Sequence, residues 1–126
     1  MKIEFDIVKV TPVNHTNVDY LTMVFKLDLP NEFILDNSKY FEVFLDTLVN
    51  GGVLKIYINF SNVKYIDSSG IGVLINTAKK IRTNSGELIL SNLSSDIKKI
   101  FSTVNLDSYF KIFKSEPEAI NHFRYL

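Results

Sequence analysis

The sequence predicts one α/β domain, a mixed β-sheet of about four or five strands covered by about four helices. Three observations carry that reading. The opening segment alternates apolar and polar residues twice, with turn chemistry between, as a pair of strands does. Val53 to Phe60 is apolar on both faces, as a strand covered from two sides must be. Amphipathic stripes at helical spacing follow, with another apolar run after them. Strand, helix and strand over that distance make a βαβ unit with a right-handed crossover.

The length of 126 residues fits a single domain over the whole chain, 1–126. A domain of that size buries roughly two-thirds of its unfolded surface, enough for an ordinary core. Hydrophobic residues make up 46% and charged residues 22%, a globular balance rather than a disordered one. Fourteen basic residues offset fourteen acidic ones with no basic block, so the electrostatic footprint of a nucleic-acid binder is missing. The absence of cysteine excludes a disulfide framework, a thiol nucleophile and a thiolate metal site. Met1-Lys2-Ile3-Glu4-Phe5-Asp6 carries acids where a signal peptide needs an unbroken apolar run. No apolar run reaches the length of a membrane span. A cytoplasmic, monomeric protein without membrane insertion is expected.

Lys2 to Val10 reads as a strand with Ile3, Phe5 and Ile7 on one face. Val8 and Val10 break the alternation, which calls for a bulge or a two-sided strand end. Thr11 to Val18, with Pro12, Asn14 and Asn17, is turn chemistry. Asp19 to Leu29 alternates best, with Leu21, Met23, Phe25, Leu27 and Leu29 set against Thr22, Lys26 and Asp28. The two strands should form a hairpin. Pro30 to Asp36 reads as a connection, after which Asn37 or Ser38 caps a helix running to about Val49. Its buried stripe is Phe41, Phe44, Leu45, Leu48 and Val49, and Asn50-Gly51-Gly52 stops it.

In the Val53–Phe60 strand, Leu54, Ile56, Ile58 and Phe60 share one face. Gly70 to Asn84 is the clearest amphipathic helix, with Ile71, Leu74, Ile75, Ala78 and Ile81 inward. Asn84-Ser85-Gly86 ends it, and Glu87 to Ser91 is a short strand. Ser94 or Ser95 caps a third helix with Ile97, Ile100, Phe101 and Val104 inward. Phe110 to Phe113 is a short extended piece. Ser115 to Glu118 has capping-box spacing ahead of a last helix that carries Ala119, Ile120 and Phe123.

Little in the chain suggests catalysis. His15 and His122 lie far apart without metal-ligand spacing around either. There is no Gly-x-Ser-x-Gly elbow, no phosphate loop and no Gly-x-Gly-x-x-Gly. Neither a metal, a cofactor nor a catalytic residue is expected, and the protein should not be an enzyme. Asp67 follows a central strand as the phospho-acceptor of a receiver domain does. Lys9-Val10-Thr11, however, stands where a receiver needs its acidic pair. Phe33, Ile34 and Leu35 are apolar residues in a connection; they either close the top of the core or form a patch for a partner.

The stretch that invites function is Tyr65-Ile66-Asp67-Ser68-Ser69-Gly70-Ile71-Gly72, where the apolar strand gives way to the amphipathic helix. A helix start leaves backbone N–H groups without partners and carries a partial positive charge. One reading is an N-cap, with Ser68 or Ser69 bonding a free N–H for about 1 kcal/mol. The other is a modifiable serine, made accessible by flanking glycines, whose phosphate would meet the helix dipole favourably while Asp67 opposed it. Residue chemistry leaves both open.

Tyr65 to Leu74 resembles the signature of the STAS domain, and specifically of bacterial anti-sigma factor antagonists. The order of elements agrees over nearly the whole chain, through Gly86-Glu87-Leu88-Ile89-Leu90 and on to the segment from Ile97 to Phe113. The resemblance implies a non-enzymatic switch in a partner-switching pathway. An anti-sigma factor that is also a serine kinase would phosphorylate Ser68, and a metal-dependent serine phosphatase would reverse it. Unphosphorylated antagonist would hold the kinase and free the sigma factor. Asp67, Ser69 and Gly70 would support the acceptor; Asp28, Asn31, Glu32, Ile71 and Gly72 would meet the partner. One departure stands out. The family's Gly-Glu-Leu-Asp-like turn is replaced by Lys26-Leu27-Asp28-Leu29-Pro30-Asn31-Glu32, which lacks the glycine and lengthens the connection. A phosphorylation-independent scaffold in a signalling or transport assembly is the alternative it suggests.

Overall fold

In a computed structural model of the chain, strand β1 (Glu4–Val10) runs antiparallel to β2 (Thr22–Asp28) in unbroken register, from Glu4 opposite Asp28 to Val10 opposite Thr22. Residues 2–13 and 22–126 are described. Most of the expected turn, with Asn14, His15 and Asn17, and the segment from Asp19 to Leu21 lie outside them. The continuous register excludes a bulge over β1, so the broken alternation belongs to a two-sided strand. Val10 is buried beneath one face, while Phe5 and Ile7 on the other remain 53% and 47% exposed at the sheet edge.

From β2 onward all pairing in the main sheet is parallel. β4 (Lys55–Asn59) lies beside β2, β6 (Glu87–Ser91) beside β4, and β7 (Lys111–Phe113) beside β6, in the order β1-β2-β4-β6-β7. Parallel neighbours need crossovers, supplied here by helices α1 (Leu35–Asn50), α2 (Ser68–Thr83) and α3 (Ser95–Thr103). A mixed five-stranded sheet with four helices among the described residues is the expected architecture.

Alternate residues of the central strands feed two cores. Leu27, Ile56, Ile58, Leu88 and Leu90 pack with Phe41, Leu45, Leu74 and Phe101 under α1, α2 and α3. Val24, Tyr57 and Ile89 point the other way, onto Ala119 of α4 (Glu116–His122) and Phe123 of the terminal 3-10 turn (Phe123–Tyr125). Buried strands of this kind have no polar face to show, hence the apolar run at Val53–Phe60. Leu54 precedes β4 and is exposed, not inward. Val104 likewise lies past the end of α3, exposed.

Two expected caps hold. The Ser94 hydroxyl accepts from Ile97 N at 3.2 Å, and Ser115 accepts from Glu118 N at 3.4 Å. α2 differs in the set of its stripe: Val73 and Thr77 are buried, while Ile71 and Ile75 are half-buried at its edge.

The stretch Pro30 to Asp36 is not merely a connection. Glu32–Phe33 forms a short strand, β3, paired in parallel with β5 (Tyr65–Ile66) in a second, two-stranded sheet. Phe33 is fully buried and stacks edge-on against Phe41 with ring centroids 5.3 Å apart. α1 therefore starts at Leu35, ahead of the expected caps. Asn37 sits inside its first turn and reaches back, its Oδ1 accepting from Ile34 N at 2.9 Å and its Nδ2 donating to the Glu32 carbonyl at 2.6 Å. Ser38 is buried. β3 and β5 together bring the starts of α1 and α2 side by side.

Candidate functional site

The strand-to-helix passage from β5 into α2 is held by backbone before any side chain acts. Asp67 N donates to the Phe33 carbonyl at 3.4 Å, and Ile71 N donates to the Asp67 carbonyl at 3.0 Å. Asp67 is the N-cap, with extended backbone at φ −113°. Its Oδ1 accepts from Ser69 N at 2.9 Å and Gly70 N at 3.1 Å. Its Oδ2 accepts from Leu35 N, the first residue of α1, at 3.0 Å. Of the two readings the sequence left open, the N-cap by Ser68 or Ser69 is thus excluded. The carboxylate spans both helix starts, and a serine hydroxyl offers no second oxygen for that purpose.

The amide donors, Gly70 foremost and then Leu35 and Ser69, hold the Asp67 carboxyl below its ordinary range, with partial burial opposing them. Two helix N-termini face the same anion.

With Asp67 as cap, Ser68 is the first residue of α2 and is exposed; its hydroxyl makes no hydrogen bond among the described residues. Ser69 is half-buried behind it. Gly70 is buried where the two helix starts meet. A Cβ there would collide with the Phe33 carbonyl oxygen and lie 3.1 Å from Ile66 Cγ1. Gly72 is the opposite case, with nothing within 4 Å of a would-be Cβ. It opens onto a groove of about 450 Å³ between α1 and α2, shared by Leu35, Lys39, Ser68, Val73 and Asn76.

Asp67, Ser68, Ser69, Gly70 and Gly72 therefore come together. Ile71 packs half-buried against the core. Asp28 and Asn31 line a separate polar recess of about 260 Å³ with Lys2 and Asn62. The Asp28 carboxylate accepts from Asn59 Nδ2 at 2.8 Å, and Asn59 Oδ1 in turn accepts from Asn92 Nδ2 at 3.0 Å. This seam crosses the strand ends to Ser91, which hydrogen-bonds the buried Tyr57 hydroxyl. The Asn31 carbonyl accepts from Lys64 N at 2.7 Å and Tyr65 N at 3.1 Å. Glu32 is exposed on β3. Lys39, Glu42 and Asn76 also line the groove and carry no motif in the sequence; their signal is only that α1 and α2 run alongside each other.

Among the described residues, no group of three or more His, Cys, Asp or Glu could hold a metal ion. His122 is paired with Lys111 Nζ at 3.2 Å, and burial, then the lysine charge, lowers its pKa. No described helix is long and apolar enough to cross a membrane.

An exposed serine whose hydroxyl has no hydrogen-bond partner among the described residues thus stands at a helix start, on a sheet covered from both faces. The chain belongs to the STAS domain family, whose model matches residues 12–119. It is 32% identical over 98 residues to a Thermotoga maritima protein provisionally assigned as an anti-sigma factor antagonist, covering 76% of this chain and 87% of that one. It is 34% identical over 65 residues to the anti-sigma-B factor antagonist of Staphylococcus aureus, 52% of this chain and 60% of that protein. Among solved structures it is similar to Bacillus SpoIIAA. The unphosphorylated form superposes with a TM-score of 0.70 at 22% identity, covering 98% of this chain and 100% of that one. The phosphorylated form gives 0.67 at 23%, covering 95% and 99%. At that identity the likeness speaks for the fold.

Proposed function

We propose that this protein is an anti-sigma factor antagonist, a binding protein without catalysis of its own, whose hold on an anti-sigma factor serine kinase is gated by phosphorylation at Ser68. The observation that carries the reading is the free Ser68 hydroxyl. Because Asp67 does the capping, the serine can be modified without taking a bond from the helix. Its Oγ attacks the γ-phosphorus of kinase-bound ATP, ADP leaves, and the hydroxyl proton passes to a base of the kinase. A metal-dependent serine phosphatase returns the hydroxyl.

The phosphate brings a charge of about −1.5 to −2 beside the Asp67 carboxylate. The two helix N-termini welcome it, so the fold tolerates it. A packed partner does not: new charge at the centre of an interface costs on the order of several kcal/mol in desolvation and repulsion. Gly72 and Ile71 on α2, with Asp28, Asn31 and Glu32 across β3, form the rest of the partner surface. The setting is the cytoplasm, and the free antagonist is a monomer.

A pull-down from the source cell's lysate with wild-type, Ser68→Ala and Ser68→Asp baits, read by mass spectrometry, tests this. Wild type and Ser68→Ala should retain a serine-kinase-like regulator that Ser68→Asp loses. If all three baits hold the same proteins, Ser68 gates nothing and the domain is a phosphorylation-independent scaffold.

A further inference from the structure

We infer that Leu35 is the residue by which the acceptor site selects its kinase: an apolar anchor on a neighbouring helix against which the kinase seats before it reaches Ser68. The inference rests on the gating role of Ser68 and extends that site onto α1.

Leu35 is 70% exposed at the first position of α1. A large aliphatic side chain gains nothing by standing in water there. Its exposure is also not a loose chain end. Its own N–H is held by Asp67 Oδ2 at 3.0 Å, the preceding Ile34 N–H by Asn37 Oδ1 at 2.9 Å, and Phe33 before that is fully buried. The backbone is fixed on one side by the core and on the other by the carboxylate that caps α2, and the leucine is left projecting.

It shares its groove with Ser68, above the open floor at Gly72. Lys39 on the same wall is paired with Glu42 at 3.1 Å, so the groove presents matched charge and selects by shape and apolarity. Any kinase that brings the γ-phosphate of ATP to the Ser68 oxygen has to cover this mouth, and an apolar side chain of the kinase against Leu35 is the occupant. Phosphate at Ser68 then lies within the same interface, beside that dry contact. A few anchors near the centre of an interface, ringed by contacts that exclude water, carry most of its binding energy.

The test uses the ATP-bound kinase purified from the pull-down, with binding measured by calorimetry and Ser68 phosphorylation by initial rates. Leu35→Gln is chosen because it keeps the length of the side chain, removes its apolar surface and adds no charge beside Asp67 and Ser68. It should raise KM and Kd by about tenfold or more with kcat within about twofold. Leu35→Met should stay near wild type. Leu54→Gln, also at an exposed leucine but ahead of the far end of β4, should change nothing. A Leu35→Gln protein that binds as wild type while Ser68→Asp still fails to bind overturns the anchor and leaves the gate standing. Ser68→Asp binding as wild type overturns the gate, and the anchor with it.

Discussion

The Asp67 carboxylate accepts from three backbone amides, two on the helix it begins and one on a helix whose sequence lies 32 positions earlier. The acid, both serines and the glycine stand out in the sequence, which offers a serine hydroxyl as one reading of the cap and not the acid. Local spacing can show that Asp67 precedes a helix; it cannot show that a second helix starts within reach. The sign of the pH effect follows from the depressed carboxyl. Its stabilising contribution is complete above the ordinary carboxylate range, about pH 4, and is lost as pH falls through the lower folded value. Denaturant midpoints from pH 6 down to pH 2 should therefore converge for wild type and Asp67→Asn, with wild type the more stable only at the upper end. A constant gap across that range would mean the charge contributes nothing. Asp67→Ala should lower the melting temperature more than Ser115→Ala, which removes a single cap bond.

At the scale of elements, the helices and main-sheet strands were legible because each carries a periodicity long enough to see. β3 and β5 were not. Two residues, Glu32–Phe33 or Tyr65–Ile66, hold no period, and their pairing partners are remote in the chain. Missing them moved the start of α1 from Leu35 to the Asn37–Ser38 pair. α2 allows a direct comparison of its two glycines. Gly70→Ala drives a methyl into the Phe33 carbonyl and should cost about 1–3 kcal/mol by chemical denaturation. Gly72→Ala meets nothing and should gain roughly 0.5–1 kcal/mol from helix propensity. Equal effects at the two positions would contradict the close approach of α2 to β3.

For the whole molecule, the sheet is dressed unequally. Three helices cover one face, while the other depends on α4 and the terminal turn, where Phe123 is fully buried against Val24, Tyr57 and Ile89. The two-sided apolar run at Val53–Phe60 announced such cover, and Ala119, Ile120 and Phe123 mark the last helix as apolar, but local spacing does not show which face of the sheet they close. Phe123→Ala should cost about 3–5 kcal/mol, as a truncation inside a main core does, and calorimetric melting can measure it. A value below about 1 kcal/mol would mean that the second face is only loosely closed. The bridge at Asp67 has a further consequence in time. The Leu35, Ser69 and Gly70 amides belong to different helices yet share one acceptor, so the departure of that carboxylate frees all three at once. In deuterated solvent they should exchange as a correlated set, joining the first helix and the second in a single opening event that neither helix would show alone.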